Sequence, residues 1–199
     1  MPIDVKKLNV DFLAFSGHKA LGPTGVGVLW SSVFEELPPF LFGGSMIETV
    51  TMTSATWAPA PRKFEAGVPN MAQAVGLGAA LDYLTEIGMQ SIFDHEVELT
   101  GYLINGLLQI PELSIVGPQN TDARGGSVSF TVGHIHPHDL GQYLDSQGVA
   151  VRTGHHCAQP LMQRYELVGT CRASFAFYNT FEEIDRFVLC LEKTLQMLG

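Results

Sequence analysis

The sequence predicts an α/β fold. The prediction rests on short apolar runs of strand length, on longer stretches with apolar residues at helical spacing, and on the alternation of the two along most of the chain. Residues 12–15 (Phe-Leu-Ala-Phe) and 26–30 (Val-Gly-Val-Leu-Trp) are apolar runs separated by a Gly-Pro-Thr-Gly turn, as expected of strands buried on both faces of a sheet. Residues 38–69 hold Pro38-Pro39, Gly43-Gly44 and Pro59-Ala60-Pro61 with weak periodicity, and read as an extended, irregular segment. Connections of this length are usually functional or disordered.

From residue 71 to 87 the apolar positions Leu77, Leu81, Leu84 and Ile87 recur at helical spacing, and Gly88 stops that helix. A second helix over 90–109 carries Val97, Leu99, Leu103 and Leu107 and ends before Pro111. Strands are predicted at 113–116 and 127–132, a helix from Pro137 or His138 to Gln147, and further strands at 149–152 and 172–177. The closing helix opens on Thr180 and Glu183 in capping-box spacing, with a stripe of Ile184, Phe187, Val188, Leu191, Leu195 and Leu198. The boundary falls near Gly88, between a sheet-and-loop unit (1–88) and an α/β unit (89–199).

A chain of 199 residues that is 46% hydrophobic has enough apolar material for a real core. Its net charge of −9 argues against nucleic acid, whose phosphates are drawn to basic surfaces. Three cysteines make no disulfide framework and fit a reducing compartment. No apolar stretch reaches the ~18–20 residues of a membrane span, and the opening Met-Pro-Ile-Asp-Val-Lys-Lys lacks the apolar stretch of a signal peptide. The expected location is the cytoplasm.

The chemistry is concentrated in two segments. Arg152-Thr153-Gly154-His155-His156-Cys157-Ala158-Gln159-Pro160 places a thiol beside imidazoles and just after a guanidinium, in a run bounded by Gly and Pro that is poorly suited to regular packing. Thiols attack as thiolates, which a nearby positive field favours. Upstream, Ser16-Gly17-His18-Lys19 sets a lysine at the end of an apolar strand, flanked by hydroxyl and imidazole donors suited to a phosphate or to a turn. Such an amine is suited to a Schiff base with a carbonyl compound. Amine and nucleophile together suggest pyridoxal phosphate. Zinc is the other use of His-His-Cys, but its ligand sets come as spaced pairs and no second pair is present. Cys171 and Cys190 read as packed apolar residues. Arg152 and Arg172 sit at strand edges, where a guanidinium either clamps a carboxylate or joins an ordinary salt bridge. His134, His136 and His138 read as a solvated turn at a helix entry rather than a metal tract.

In order, Ser-Gly-His-Lys-x-x-Gly-Pro-Thr-Gly, Gly-Gly-Ser-Met-Ile, Phe-Glu-Ala-Gly-x-Pro-Asn, Arg-Thr-Gly-His-His-Cys-Ala and Cys-Arg-Ala-Ser closely resemble the group II (SufS-type) cysteine desulfurases of the class V aminotransferase family. The resemblance runs the length of the chain. It implies the C-terminal half of a fold-type I pyridoxal 5'-phosphate (PLP) enzyme: part of the large-domain sheet, then the small C-terminal α/β domain. On that match Lys19 is the Schiff-base lysine, Ser16 and His18 are phosphate ligands, and Cys157 is the persulfide-forming nucleophile. Arg172 matches the clamp on the substrate carboxylate and Arg152 a second substrate-site arginine. The implied reaction converts L-cysteine to L-alanine and passes sulfur to an acceptor protein of the SufE/SufU type for iron–sulfur cluster assembly. A selenocysteine lyase acting on L-selenocysteine, or another class V PLP enzyme, is the alternative activity, and an inactive docking fragment an alternative role. The expected assembly is a homodimer or a pairing with a complementary N-terminal half.

The family's aspartate partner of the pyridine nitrogen and its ring-stacking histidine have no counterpart in this sequence, so weak or no turnover is expected of the isolated chain. Val68 stands where the pattern Glu-Ala-Gly-Thr-Pro has threonine, which removes a hydroxyl from a loop that lies near the partner subunit's site in the family.

Overall fold

A computed structural model describes residues 2–122 and 124–198. It divides into two compact units, Met1–Met89 and Gln90–Gly199.

In the first unit, a single-turn helix α1 (Val5–Leu8) is capped by the Asp4 carboxylate, which accepts from the backbone N–H groups of Lys6 and Lys7. Strands β1 (Phe12–Ser16) and β2 (Gly27–Ser31) form an antiparallel ribbon in which Ser16 faces Gly27. Their residues are exposed or half-buried, which corrects the expectation of strands covered on both faces. Among the described residues each has only the other as ladder partner, so the ribbon keeps an open edge on either side. The segment read as irregular contains a short hairpin, β3 (Ile47–Val50) and β4 (Ala55–Trp57), closed by Thr51 and Ser54 through backbone and hydroxyl hydrogen bonds.

The buried residues of this unit are few: Gly17, Met46, Ala58, Lys63, Leu77 and Ala80. Lys63 is tolerated there because its ammonium donates to the Glu35 carbonyl at 3.0 Å, lies 3.6 Å from the Glu35 carboxylate, and faces the Phe64 ring. Helix α2 (Met71–Ile87) closes the unit at Gly88, whose φ of 93° is freely open only to glycine.

The second unit holds a four-stranded antiparallel sheet with strand order β5-β6-β8-β7, formed by β5 (Leu113–Val116), β6 (Ser127–Val132), β7 (Arg152–Gly154) and β8 (Thr170–Ser174). Strand β6 alternates half-buried and buried residues, the period-two signature of a sheet with one covered face. The cover comes from α3 (Met89–Leu107), α4 (Pro137–Ser146) and α6 (Phe181–Leu198), which pack Leu99, Leu103, Leu107, Leu140, Leu144, Phe187 and Leu191 onto Val128 and Phe130. The predicted capping box forms: Thr180 Oγ1 accepts from the Glu183 N–H and the Glu183 carboxylate accepts from the Thr180 N–H. A short helix α5 (Gln159–Arg164) follows Cys157 and was not anticipated. The last two strands begin elsewhere than expected, at Arg152 rather than Val149 and at Thr170 rather than Arg172.

Candidate functional site

In the first unit, Lys19 ends a three-residue 3-10 turn, Gly17–Lys19, set directly after β1. Gly17 can occupy that turn because a Cβ there would come within 2.8 Å of the Val26 carbonyl oxygen, while its own N–H donates to that oxygen at 2.9 Å. The turn is closed by the N–H groups of Ala20 and Gly22, both donating to the Gly17 carbonyl. The following loop lies against α2, where a Cβ on Gly22 would touch Leu77 and one on Gly76 would touch Pro23, and Asn70 donates to the Gly25 carbonyl. The backbone is thus fixed while the chemistry-bearing side chains are left open. Ser16 is half-buried and His18 and Lys19 are exposed. Among the described residues none forms a hydrogen bond or ion pair with the Ser16 hydroxyl, the His18 ring or the Lys19 ammonium.

In the second unit, β7 and β8 bring the other named residues together. Arg152 lies directly across the ladder from Arg172, so both guanidinium stems rise from the same face of the sheet, and Ser129 faces Arg172 from the other side. Two like charges so placed repel unless an anion or an acceptor lies between them. Arg172 Nε donates to Ser174 Oγ at 3.1 Å, and Arg152 Nη2 donates to Cys157 Sγ at 3.4 Å. Neither arginine meets a carboxylate among the described residues. The pair therefore offers bidentate donors to a carboxylate from outside the chain.

Cys157 is exposed, in a surface hollow of about 440 Å³ lined by Arg152, Thr153, His155, His156, Gln159 and Pro160. It sits at the centre of a turn closed by the Ala158 N–H donating to the His155 carbonyl at 2.9 Å, with His156 at φ 55° and Cys157 at φ 61°. Positive φ at both central positions is the signature of a type I′ turn, normally filled by Gly, Asn or Asp. His156 turns its Nε2 onto Thr170, 2.8 Å from the hydroxyl and 3.2 Å from the carbonyl oxygen. Burial lowers the basicity of this imidazole below the ordinary histidine value. The positive charge of Arg172 acts in the same direction, with smaller contributions from Arg152 and His155, while the Thr170 carbonyl opposes them. The other thiols lie apart from this chemistry: Cys171 and Cys190 are buried, and burial pushes the Cys171 thiol up to about 12.

Of the residues singled out in the sequence, Cys157, Arg152 and Arg172 share one face of the second unit, and Ser16, His18 and Lys19 share one turn of the first. Thr170 and Ser174 were missed. Ser174 was within reach of sequence reasoning, since it lies two positions from Arg172 on a strand and so shares its face. Thr170 carried no such signal, because its partner His156 is 14 residues away. Val68 is exposed. Among the described residues, no group of three or more His, Cys, Asp or Glu side chains is arranged to hold a metal ion.

The family model for class-V aminotransferases matches residues 1–187, and the chain belongs to that family. Within it the chain is similar to cysteine desulfurases. A Streptomyces coelicolor protein named as a probable cysteine desulfurase is 58% identical over the whole of this chain and 48% of its own length. The structure matches that of the Escherichia coli cysteine desulfurase CsdA, in its S-sulfonic acid form, with a TM-score of 0.91 at 36% identity over 98% of this chain and 49% of that one. It also matches a mutant of C-DES with glycine covalently linked to its PLP cofactor, with a TM-score of 0.78 at 29% identity over 96% of this chain and 48% of that one. The chain thus spans about half the length of the relatives it matches, and the mixed α/β architecture is that of fold-type I cysteine desulfurases.

Proposed function

We propose that this chain carries the sulfur-accepting cysteine and the cofactor lysine of a PLP-dependent cysteine desulfurase of the group II type, which converts L-cysteine to L-alanine and holds the sulfur as a persulfide on Cys157. The observation that carries the reading is the joint placement of an exposed thiol and two facing arginines: Arg152 donates to Cys157 Sγ and stands in register with Arg172. A carboxylate-bearing thiol compound is what this arrangement would bind.

The donor set of the first unit fits the cofactor. Ser16 and His18 supply hydroxyl and imidazole donors for a phosphate, and Lys19 an amine for an aldehyde, all unengaged within the described residues. When bound, PLP supplies an electron sink that weakens the bonds at the substrate α-carbon and, through it, the carbon–sulfur bond. Lys19 Nζ would hold the aldehyde and, as a free amine, would move the α-proton. Arg172 and Arg152 hold the substrate carboxylate. Cys157 as thiolate bonds to the substrate sulfur; the carbon–sulfur pair stays with carbon, which takes up a proton on the way to alanine, and the sulfur remains on Cys157. Arg152 directs a guanidinium N–H at Sγ and so fixes where the attacking sulfur stands. From an exposed position the persulfide would be open to a sulfur-acceptor protein of the SufE/SufU type, and so to iron–sulfur cluster assembly.

The test uses the purified chain with PLP. Borohydride reduction should leave a phosphopyridoxyl group on Lys19, read by peptide mass spectrometry. L-Cysteine labelled in its sulfur should leave a reducible label on Cys157, accompanied by alanine in no more than a stoichiometric amount and lost in Cys157→Ala. Phosphopyridoxyl on other lysines with none on Lys19, or alanine formed undiminished by Cys157→Ala, would defeat the reading. Undiminished release of selenium from L-selenocysteine by the same variant would favour a selenocysteine lyase instead.

A further inference from the structure

Left-handed φ at two successive residues with a Cβ costs about 1 kcal/mol or more for each, so something other than the local chain must hold His156 and Cys157 in their turn. Among the described residues two side-chain hydrogen bonds reach the central residues of the turn: Arg152 Nη2 to Cys157 Sγ at 3.4 Å, and, at shorter range, the His156 ring on Thr170. Thr170 is fully buried and lies on β8 opposite Gly154, two residues before Arg172. A ring anchored there is fixed relative to both arginines.

The contact also selects a tautomer. The Thr170 hydroxyl, 2.8 Å from Nε2, can donate or accept, but the Thr170 carbonyl at 3.2 Å can only accept, so a hydrogen on Nε2 is the arrangement that serves both contacts. The alternative would set two lone pairs against each other there and bury an N–H at Nδ1, which has no partner in the structure. The surroundings oppose a proton on both nitrogens, since burial and the charges of Arg172 and Arg152 all act against an imidazolium.

We propose that His156 is a positioning residue: as the neutral Nε2–H tautomer it fastens the Cys157 turn to Thr170 of β8 and thereby holds the Cys157 sulfur against Arg152. The meaning of this for sulfur transfer rests on the reading of Cys157 as the sulfur-accepting nucleophile. The tether itself does not, and its test needs neither cofactor nor substrate.

The experiment follows alkylation of Cys157 by iodoacetamide in the folded chain at fixed pH. His156→Phe removes the donor while filling the space, and the rate should fall by roughly three- to tenfold, the fold-change of losing a hydrogen bond of ordinary net strength. His156→Gln, whose side-chain amide can place an N–H near the Nε2 position, should restore most of it. A rate in His156→Phe equal to or above that of the unaltered chain, or a fall that His156→Gln leaves uncorrected, overturns the proposal. Should His156→Phe fail to fold, the unaltered chain still decides: two-bond ¹H–¹⁵N spectra of histidine-labelled protein should show His156 as the Nε2–H tautomer, and an Nδ1–H pattern overturns it. Either outcome leaves the desulfurase reading to be judged separately by persulfide formation.

Discussion

At the scale of single residues, the chain joins rigid backbone to unengaged chemistry. Gly17 lets the Lys19 turn close on the Val26 carbonyl, and the amine beyond it stays open. Glu183 shows a different use of a polar side chain. Its carboxylate accepts from the Asn179 amide and from the Thr180 N–H, and these hold it below the usual carboxylate range, the Asn179 bond first. Because the folded value lies below the unfolded one, the contribution is complete above the ordinary glutamate value of about 4.3 and is lost as pH falls through the folded value. Acid unfolding followed by circular dichroism should therefore show a smaller loss of stability below pH about 4 in Glu183→Gln than in the unaltered chain.

At the scale of elements, Gly141 sets how closely α4 approaches β7. A Cβ there would lie 2.5 Å from the Thr153 methyl, next to Arg152. Alanine gains up to about 1 kcal/mol of helix propensity over glycine, but Thr153 is branched at Cβ and has few rotamers in which to retreat. Gly141→Ala should consequently lower the thermal midpoint, and adding Thr153→Ser, which deletes the offending methyl, should recover it. The elements legible in the sequence were those defined by their own residues. The α2 stop at Gly88, the capping box of α6 and the alternating strand β6 each carry a local signature. Less legible were elements defined by a distant partner. Val149, Ala150 and Val151 read as strand, yet the ladder begins where Arg152 meets Arg172, and no local pattern announces that register. The β3–β4 hairpin is largely exposed and is closed by hydroxyls, so its apolar periodicity is faint.

At the scale of the whole molecule, the two units differ in how well their apolar residues are covered. The second has a continuous core of fully buried leucines around Phe130, while the first leaves Phe40, Phe42, Met52 and Val75 more than half exposed. Its strands were expected to be buried because their composition suits an interior, and composition cannot tell which neighbours supply the cover. Lys19, Cys157, Arg152 and Arg172 drew notice by their chemistry, which does not depend on knowing what packs against them. All the cysteines lie in the second unit, and their unequal exposure gives that unit a readable gauge of its own integrity. With Cys157 at the surface and Cys171 and Cys190 sealed in, a chromogenic disulfide reagent should count one sulfhydryl per chain in native buffer and three in denaturant. A fractional count between those limits would report partial opening of the unit before any spectroscopic signal of unfolding.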